Sequence, residues 1–273
     1  MNNKKFYTSR YDVVFKSVFL DENDPYLLKE FLSRLLKKKV SRIEFKRNEQ
    51  TNEYAREKTR ILDFLAIVDG EYIHIELNSS YQIYYNPRNF SYFTTVYNRH
   101  VGKGEVYDLE TQFIHIDLSY GLKHNDERRV YYIMDENGNK YIENFEIIEY
   151  NMDKLMKYYK RFNKEKLKEF DFLIMLDLKE KELKKFAKGD SFMEKYSEKL
   201  NKVNEDPEFQ SFMTAEENYQ KCINTDKKIA REEGWAEGNA KGIVEGRAEK
   251  ELEILNKLKS KGLSENEIKD LLS

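Results

Sequence analysis

Apolar residues recur at helical spacing from Tyr11 to Leu36, in two clusters. Val14, Phe15, Val18 and Phe19 form the first; Leu27, Leu28, Phe31, Leu32, Leu35 and Leu36 form the second. "DENDP" separates them and places Pro25 at the first turn of a second helix. A basic turn and a short strand over Val40–Phe45 follow. The pattern then changes period. "RILDFLAIVDGEYIHIELN", Arg60 to Asn78, reads as two strand-like runs around Asp69-Gly70, the dipeptide that best suits a two-residue type I′ hairpin. A helix is predicted after Pro87, from Phe90, Phe93, Tyr97 and Val101. Further strands are predicted in "QFIHIDLS", "RRVYYIMDE" and "YIENFEIIEYNM". Beyond about Asp153 the composition is helical, broken at Gly189 and Pro207. Gly234, Gly238, Gly242 and Gly246 then repeat every four residues, with Ala236, Ala240 and Ala248 in the same period. Glycine costs about 1 kcal/mol against alanine inside a helix. Such a stripe is reasonable where a second helix approaches closely; the alternative is a frayed, low-complexity tail. Gly262 marks a helix stop, and Ser264 with Glu267 forms a capping box.

The hairpin register has a chemical consequence. If Asp69-Gly70 is the turn, Val68 pairs with Glu71, Leu65 with His74, Phe64 with Ile75 and Asp63 with Glu76. Opposed residues of an antiparallel pair have Cβ atoms roughly 4.5–5.5 Å apart. Two carboxylates at that distance repel, so a divalent cation, a shared proton or a nearby Lys or Arg must compensate. Alternation places Asp63, Leu65, Ile67, Tyr72, His74, Glu76 and Asn78 on one face, expected to look outward. Leu62, Phe64, Ala66, Ile73, Ile75 and Leu77 lie on the core side. A Mg²⁺ site would use Asp63, Glu76 and the Leu77 carbonyl, with Asn78 orienting a water or touching a phosphate; the bland alternative is two solvated acids near Lys58 or Arg60. His74 reads as a packing residue. His115 and Asp117 repeat the alternation without a visible partner, and Cys222 reads as inert.

Composition narrows the class. The 273 residues are 36% charged, 40% hydrophobic and 14% aromatic, with 20 Tyr and 17 Phe, which is ample core material. The net charge of −2 excludes a uniformly basic coat but not a local basic groove. A single cysteine excludes an intrachain disulfide and a Cys-rich zinc site. No apolar run approaches the ~20 residues of a membrane span, and no signal-peptide core is present, so a cytoplasmic protein is expected.

These motifs carry a resemblance. The Asp63…Glu76-Leu77-Asn78 segment resembles the core of the PD-(D/E)XK nucleases, in which an Asp and a Glu on adjacent strands bind metal. With "YDVVFKSVFLDENDPYLLKEFLSRLL", "NPRNFSYFTTVYNRHVGKGEVYDLETQFIHIDL", the "EG" repeats and "KGLSENEIKDLL", the chain is similar to the recombination-promoting nuclease and PD-(D/E)XK transposase family. The resemblance implies an α/β fold: a restriction-endonuclease-like mixed sheet flanked by helices over residues 1–150, a helical region over 151–228 and a Gly/Ala-repeat tail over 229–273. It implies a Mg²⁺-dependent DNA endonuclease, with Mn²⁺ as a substitute, acting in recombination or mobile-element biology. Asp63, Glu76 and Asn78 would be catalytic, with Asp63, Glu76 and Leu77 as metal ligands. Arg88 and Tyr92 would face the phosphate. Asn78 stands where the superfamily usually has Lys; an amide lacks the positive charge, which lowers the implied activity unless Lys58 or Arg60 substitutes. The rival reading is a catalytically degenerate scaffold for protein interaction. Both readings expect self-association through the C-terminal helices.

Overall fold

The computed structural model describes residues 5–21, 23–45, 49–50, 60–61, 64–79, 82–100, 110–162, 168–264, 266 and 268. Two compact units divide the chain, Met1–Gln210 and Ser211–Ser273. The first is built on a mixed six-stranded sheet of order β1-β4-β5-β6-β8-β7. Its strands are β1 (Ile43–Phe45), β4 (Phe64–Val68), β5 (Glu71–Asn78), β6 (Phe113–Ser119), β7 (Arg128–Tyr131) and β8 (Phe145–Asn151). A separate antiparallel pair joins β2 (Glu49–Gln50) and β3 (Arg60–Ile61). Strands β5, β6 and β8 run parallel, while β1, β4 and β7 pair antiparallel with their neighbours.

The hairpin forms as the sequence predicts. Asp69 and Gly70 both take positive φ, 50° and 93°, as a type I′ turn requires. Asp69 is held there because its carboxylate accepts from the Ser41 and Arg42 amides at 2.9 and 2.7 Å. The pairing runs Val68–Glu71 through Leu65–His74 to Phe64–Ile75. Leu62 and Asp63 lie outside the described residues.

The expected outward face is not outward. Glu76 is only 2% exposed, and His74 and Asn78 are buried with it. The reason is a neighbour 41 residues downstream: β6 pairs along the free edge of β5. Helix α3 (Tyr85–His100) then covers the polar face. It begins two residues before Pro87, which sits in the first turn where a missing N–H costs little. Of its predicted apolar stripe, Phe93 is buried and Tyr97 half-buried, but Phe90 is 41% exposed; Val101 lies outside the described residues. The inward side is instead Asn89, Phe93 and Val96. At this end of the sheet Phe93 packs on Phe113 and Phe145, with Tyr97 beside them.

The opposite sheet face is apolar: Ile73, Ile75, Ile114, Ile116, Leu118 and Ile148 are all buried. Helices α1 (Asp12–Phe19) and α2 (Tyr26–Leu35) join α4 (Met152–Phe162), α5 (Asp171–Ile174), α6 (Glu180–Phe186) and α7 (Ser191–Glu205) around a second aromatic cluster. There Phe31 lies 4.8 Å from Phe19 and 5.5 Å from Phe172, between ring centroids. Asp190 caps α7 by accepting from Phe192 and Met193, and pairs with Arg34 of α2 at 2.8 Å.

Helix α8 (Pro207–Ser260) carries the four-residue glycine repeat. A Cβ at Gly234, Gly238, Gly242 or Gly246 would meet no atom within 4 Å beyond its chain neighbours and the helix's own nearby backbone. Gly262, at φ 85°, ends this segment with its amide donating to Lys259, as expected of a helix stop; Glu267 of the capping box lies outside the described residues. No described helix is long and apolar enough to cross a membrane.

One buried amide ties the N-terminal segment to α7. Asn204 accepts from the Tyr7 amide at 2.7 Å and donates to the Tyr7 and Leu200 carbonyls, each at 2.9 Å. Asn204→Ala removes these three buried hydrogen bonds. It should therefore cost about 2 kcal/mol, read as a lowered urea midpoint at unchanged slope.

Candidate functional site

Three parallel segments build the site. "HIELN" (residues 74–78) of β5, "HIDLS" (115–119) of β6 and "IIEYN" (147–151) of β8 lie in register. His74 opposes His115, Glu76 opposes Asp117, and Asn78 opposes Ser119; the next row across is Ile147, Glu149 and Asn151. A row of three buried acids, Glu76, Asp117 and Glu149, crosses the sheet, with a row of small polar residues beside it. Both rows lie toward the carboxyl ends of the parallel strands, where open α/β sheets bind ligands.

Each acid has a different partner. Glu76 Oε2 accepts from Arg88 Nη2 at 3.2 Å, and its Oε1 lies 3.1 Å from His74 Nε2. Burial, with His115 next, pushes the His74 pKa well below the ordinary imidazole value, so His74 is neutral. With Glu76 ionised, His74 Nε2–H donates to it, and His74 Nδ1 lies 2.8 Å from His115 Nδ1. Asp117 is paired with amides: its Oδ1 accepts from Asn89 Nδ2 at 2.7 Å and Asn78 Nδ2 at 3.1 Å. Burial opposes its charge, but the His115 ring and these surroundings outweigh burial and hold its pKa below the ordinary carboxylate value. Glu149 Oε1 meets His124 Nε2 at 2.6 Å and accepts from Tyr131 at 3.3 Å.

Asn78 has no uncommitted hydrogen. Its Nδ2 donates to Asp117 and to Ser119 Oγ, both at 3.1 Å, while Oδ1 accepts from Arg88 Nη2 at 3.1 Å. Arg88 thus bridges Glu76 and Asn78. Its guanidinium carbon lies 4.6 Å from the Tyr85 ring centroid and 5.8 Å from that of Tyr92, and Nε donates to Asn89. Tyr92 is half-buried against Leu65 and Val96. The site residues Glu76, Asn78, Arg88 and Tyr92 are therefore together. Asp63 and Lys58 lie outside the described residues.

Two residues set aside by the sequence reading belong here. His115 and Asp117 do have partners, because the parallel pairing of β5 and β6 brings two distant segments side by side. The repeated His-Ile-acid-Leu-polar pattern of "HIELN" and "HIDLS" was the available signal. Among the described residues, no three His, Cys, Asp or Glu side chains form a metal-holding group. The donor chemistry nonetheless suits a hard cation, since Glu76 offers carboxylate oxygen and its imidazole neighbour is uncharged.

The depressed Asp117 pKa gives a signed expectation. A carboxyl held below its unfolded value of about 3.8 adds stability above that pH, and the gain is lost as pH falls from there through the lower folded value. Asp117→Asn should lower stability at neutral pH and flatten the acid limb below about pH 4. Paired chemical denaturation of wild type and variant across pH checks both.

A search of curated proteins and of solved structures found no match. The family described as PD-(D/E)XK nuclease family transposase matches over residues 9–230. That span holds the whole sheet, α3 and the three acids, and the chain belongs to this family.

Proposed function

We propose that the protein is a divalent-metal-dependent DNA endonuclease in which a helix-borne arginine supplies the positive charge absent from Asn78. The observation that carries this is the Arg88 bridge between Glu76 and Asn78. Asp63, Glu76 and the Leu77 carbonyl are the oxygens that would hold Mg²⁺ or Mn²⁺, whose chemistry when bound is Lewis-acid activation of the phosphoryl group and of water.

The chain's own groups have distinct tasks. Arg88 faces the phosphate and offsets the negative charge that grows on its oxygens in the transition state. Asn78 acts through Arg88: its orientation is fixed by Asp117 and Ser119, so its oxygen holds the guanidinium in place. Tyr85 and Tyr92 keep that guanidinium on the strand side of the helix. His74 holds one oxygen of Glu76. The nuclease family supports DNA as the polymer and mobile-element biology as the setting. Self-association through α8 is part of this reading, supported by the open glycine stripe and by Trp235, Val244 and Leu252, each more than 60% exposed.

Arg88→Ala should lower plasmid cleavage about 100-fold or more, the usual loss for a group that stabilises transition-state charge. Arg88→Lys should recover part of the rate, and Asp63→Ala or Glu76→Ala should abolish it. The measurement is supercoiled-plasmid cleavage under metal titration, with thermal melting to confirm folding. If wild type cuts no DNA at any metal concentration, or if Arg88→Ala cuts equally well, the reading is wrong.

A further inference from the structure

Beside the Arg88 centre, on the β7 side, lies a cavity of about 360 Å³. That is room for a small ligand, since such pockets run from roughly 300 to 1,000 Å³. Asp117, Glu149 and His115 line its floor, and Phe90 and Tyr131 line it from α3 and β7. The floor side chains are each less than 5% exposed, while Phe90 and Tyr131 are 41% and 38% exposed and form the rim. Hydrogen bonds orient both carboxylates through one oxygen apiece: Asp117 Oδ1 by Asn78 and Asn89, Glu149 Oε1 by His124 and Tyr131. His115 Nε2 is buried 3.1 Å from Asp117 Oδ1. Among the described residues, no guanidinium or ammonium group lines this cavity. Its floor therefore repels phosphate and invites hydrogen-bond donors.

We propose that this cavity is a nucleobase pocket, selective for guanine, next to the phosphodiester centre. The two rim rings offer faces for stacking, which any base accepts. Selection comes from the floor. Guanine presents N1–H and an N2 amino hydrogen side by side, two donors for the carboxylate oxygens that these bonds leave open, Glu149 Oε2 and Asp117 Oδ2. Adenine and cytosine set a ring acceptor beside their amino group, and thymine sets its single N–H between two carbonyls. A buried carboxylate rejects those edges because an acceptor would face an acceptor. Asp117 links the pocket to the centre, since its oxygen also takes the Asn78 amide that positions Arg88. The link to a scissile phosphate rests on the endonuclease reading; the base preference does not.

The test is calorimetric titration of the full chain with deoxyguanosine, deoxyinosine and deoxyadenosine in chelator-treated buffer, where neither metal nor cleavage intervenes. Deoxyinosine lacks only the 2-amino group. Wild type should bind deoxyguanosine about tenfold or more tighter than either competitor, the loss expected for one hydrogen bond to a charged group. Glu149→Gln, which keeps shape and can still accept from His124 and Tyr131, should bring deoxyguanosine and deoxyinosine within about twofold. Phe90→Ala, at the exposed rim, should weaken all three nucleosides alike and keep the guanine preference. Equal binding of deoxyguanosine and deoxyinosine by wild type, no nucleoside binding, or an undiminished preference in folded Glu149→Gln overturns the pocket. Should Glu149→Gln fail to fold, wild type and Phe90→Ala decide alone. Guanine preference in a protein that cuts no plasmid leaves the pocket standing and removes the endonuclease; cleavage without preference does the reverse.

Discussion

A carboxylate buried on a central strand is the constraint around which this protein is arranged. Moving an ionised acid from water into a folded interior costs several kcal/mol unless charge and hydrogen bonds compensate. Glu76 is only 2% exposed, and its compensation comes from Arg88 at one oxygen and His74 at the other. The two contribute differently: neutral His74 supplies a hydrogen bond without charge, and Arg88 supplies charge from another element. The position of α3 follows from this. Arg88 must reach Glu76 while Asn89, one residue on, reaches Asp117, so the first turns of the helix lie over the acid row. Tyr92, a turn later, backs the guanidinium, and Phe93 begins the apolar contact with Phe113 and Phe145.

The same strands therefore carry two kinds of surface. Tyr72, Phe113 and Phe145 begin them with aromatic packing, and Asn78, Ser119 and Asn151 end them with small polar groups. The aromatic end anchors the helix at the cost of no buried charge. This leaves the polar end free to be built from groups that would destabilise the fold if scattered. On the endonuclease reading, a lysine on β5 would supply charge directly, and that task falls instead to an amide on the strand with a guanidinium on the helix. Arginine suits this division, because its planar fork can meet a carboxylate oxygen and an amide oxygen together.

How much of this was legible depended on sequence distance. Asp69-Gly70 determines the hairpin locally, so the register from Val68–Glu71 to Phe64–Ile75 could be read directly. Burial of Glu76 could not, since alternation distinguishes two faces but does not say whether the polar one is covered. That cover is α3 and a parallel partner some 40 residues away. Parallel pairing leaves no turn to mark its register, so His115 and Asp117 looked partnerless. The likeness of "HIELN" to "HIDLS" was visible but carried no geometry until the strands were adjacent. For Arg88, a polar position could be matched to the family, but its contacts depended on where the helix starts, two residues before Pro87.

The three acids of one row are chemically unlike because their partners differ. Glu76 is paired with a guanidinium, so that end of the row is close to neutral and leaves Arg88 able to meet an anion. Asp117 is held at one oxygen by two amides, with the His115 ring 3.1 Å away. Glu149 has a histidine and a phenol, and the cavity beside it opens toward Phe90 and Tyr131. Potential along the row thus changes from anion-accepting to donor-seeking within the width of three strands, roughly 10 Å at the usual strand spacing. That is the scale of one nucleotide, with its phosphate at one end and its base at the other. A site built only to hydrolyse a phosphodiester needs the first half of that gradient; the second half is buried, oriented and apolar-rimmed, which is the construction of a binding pocket rather than of a solvated surface.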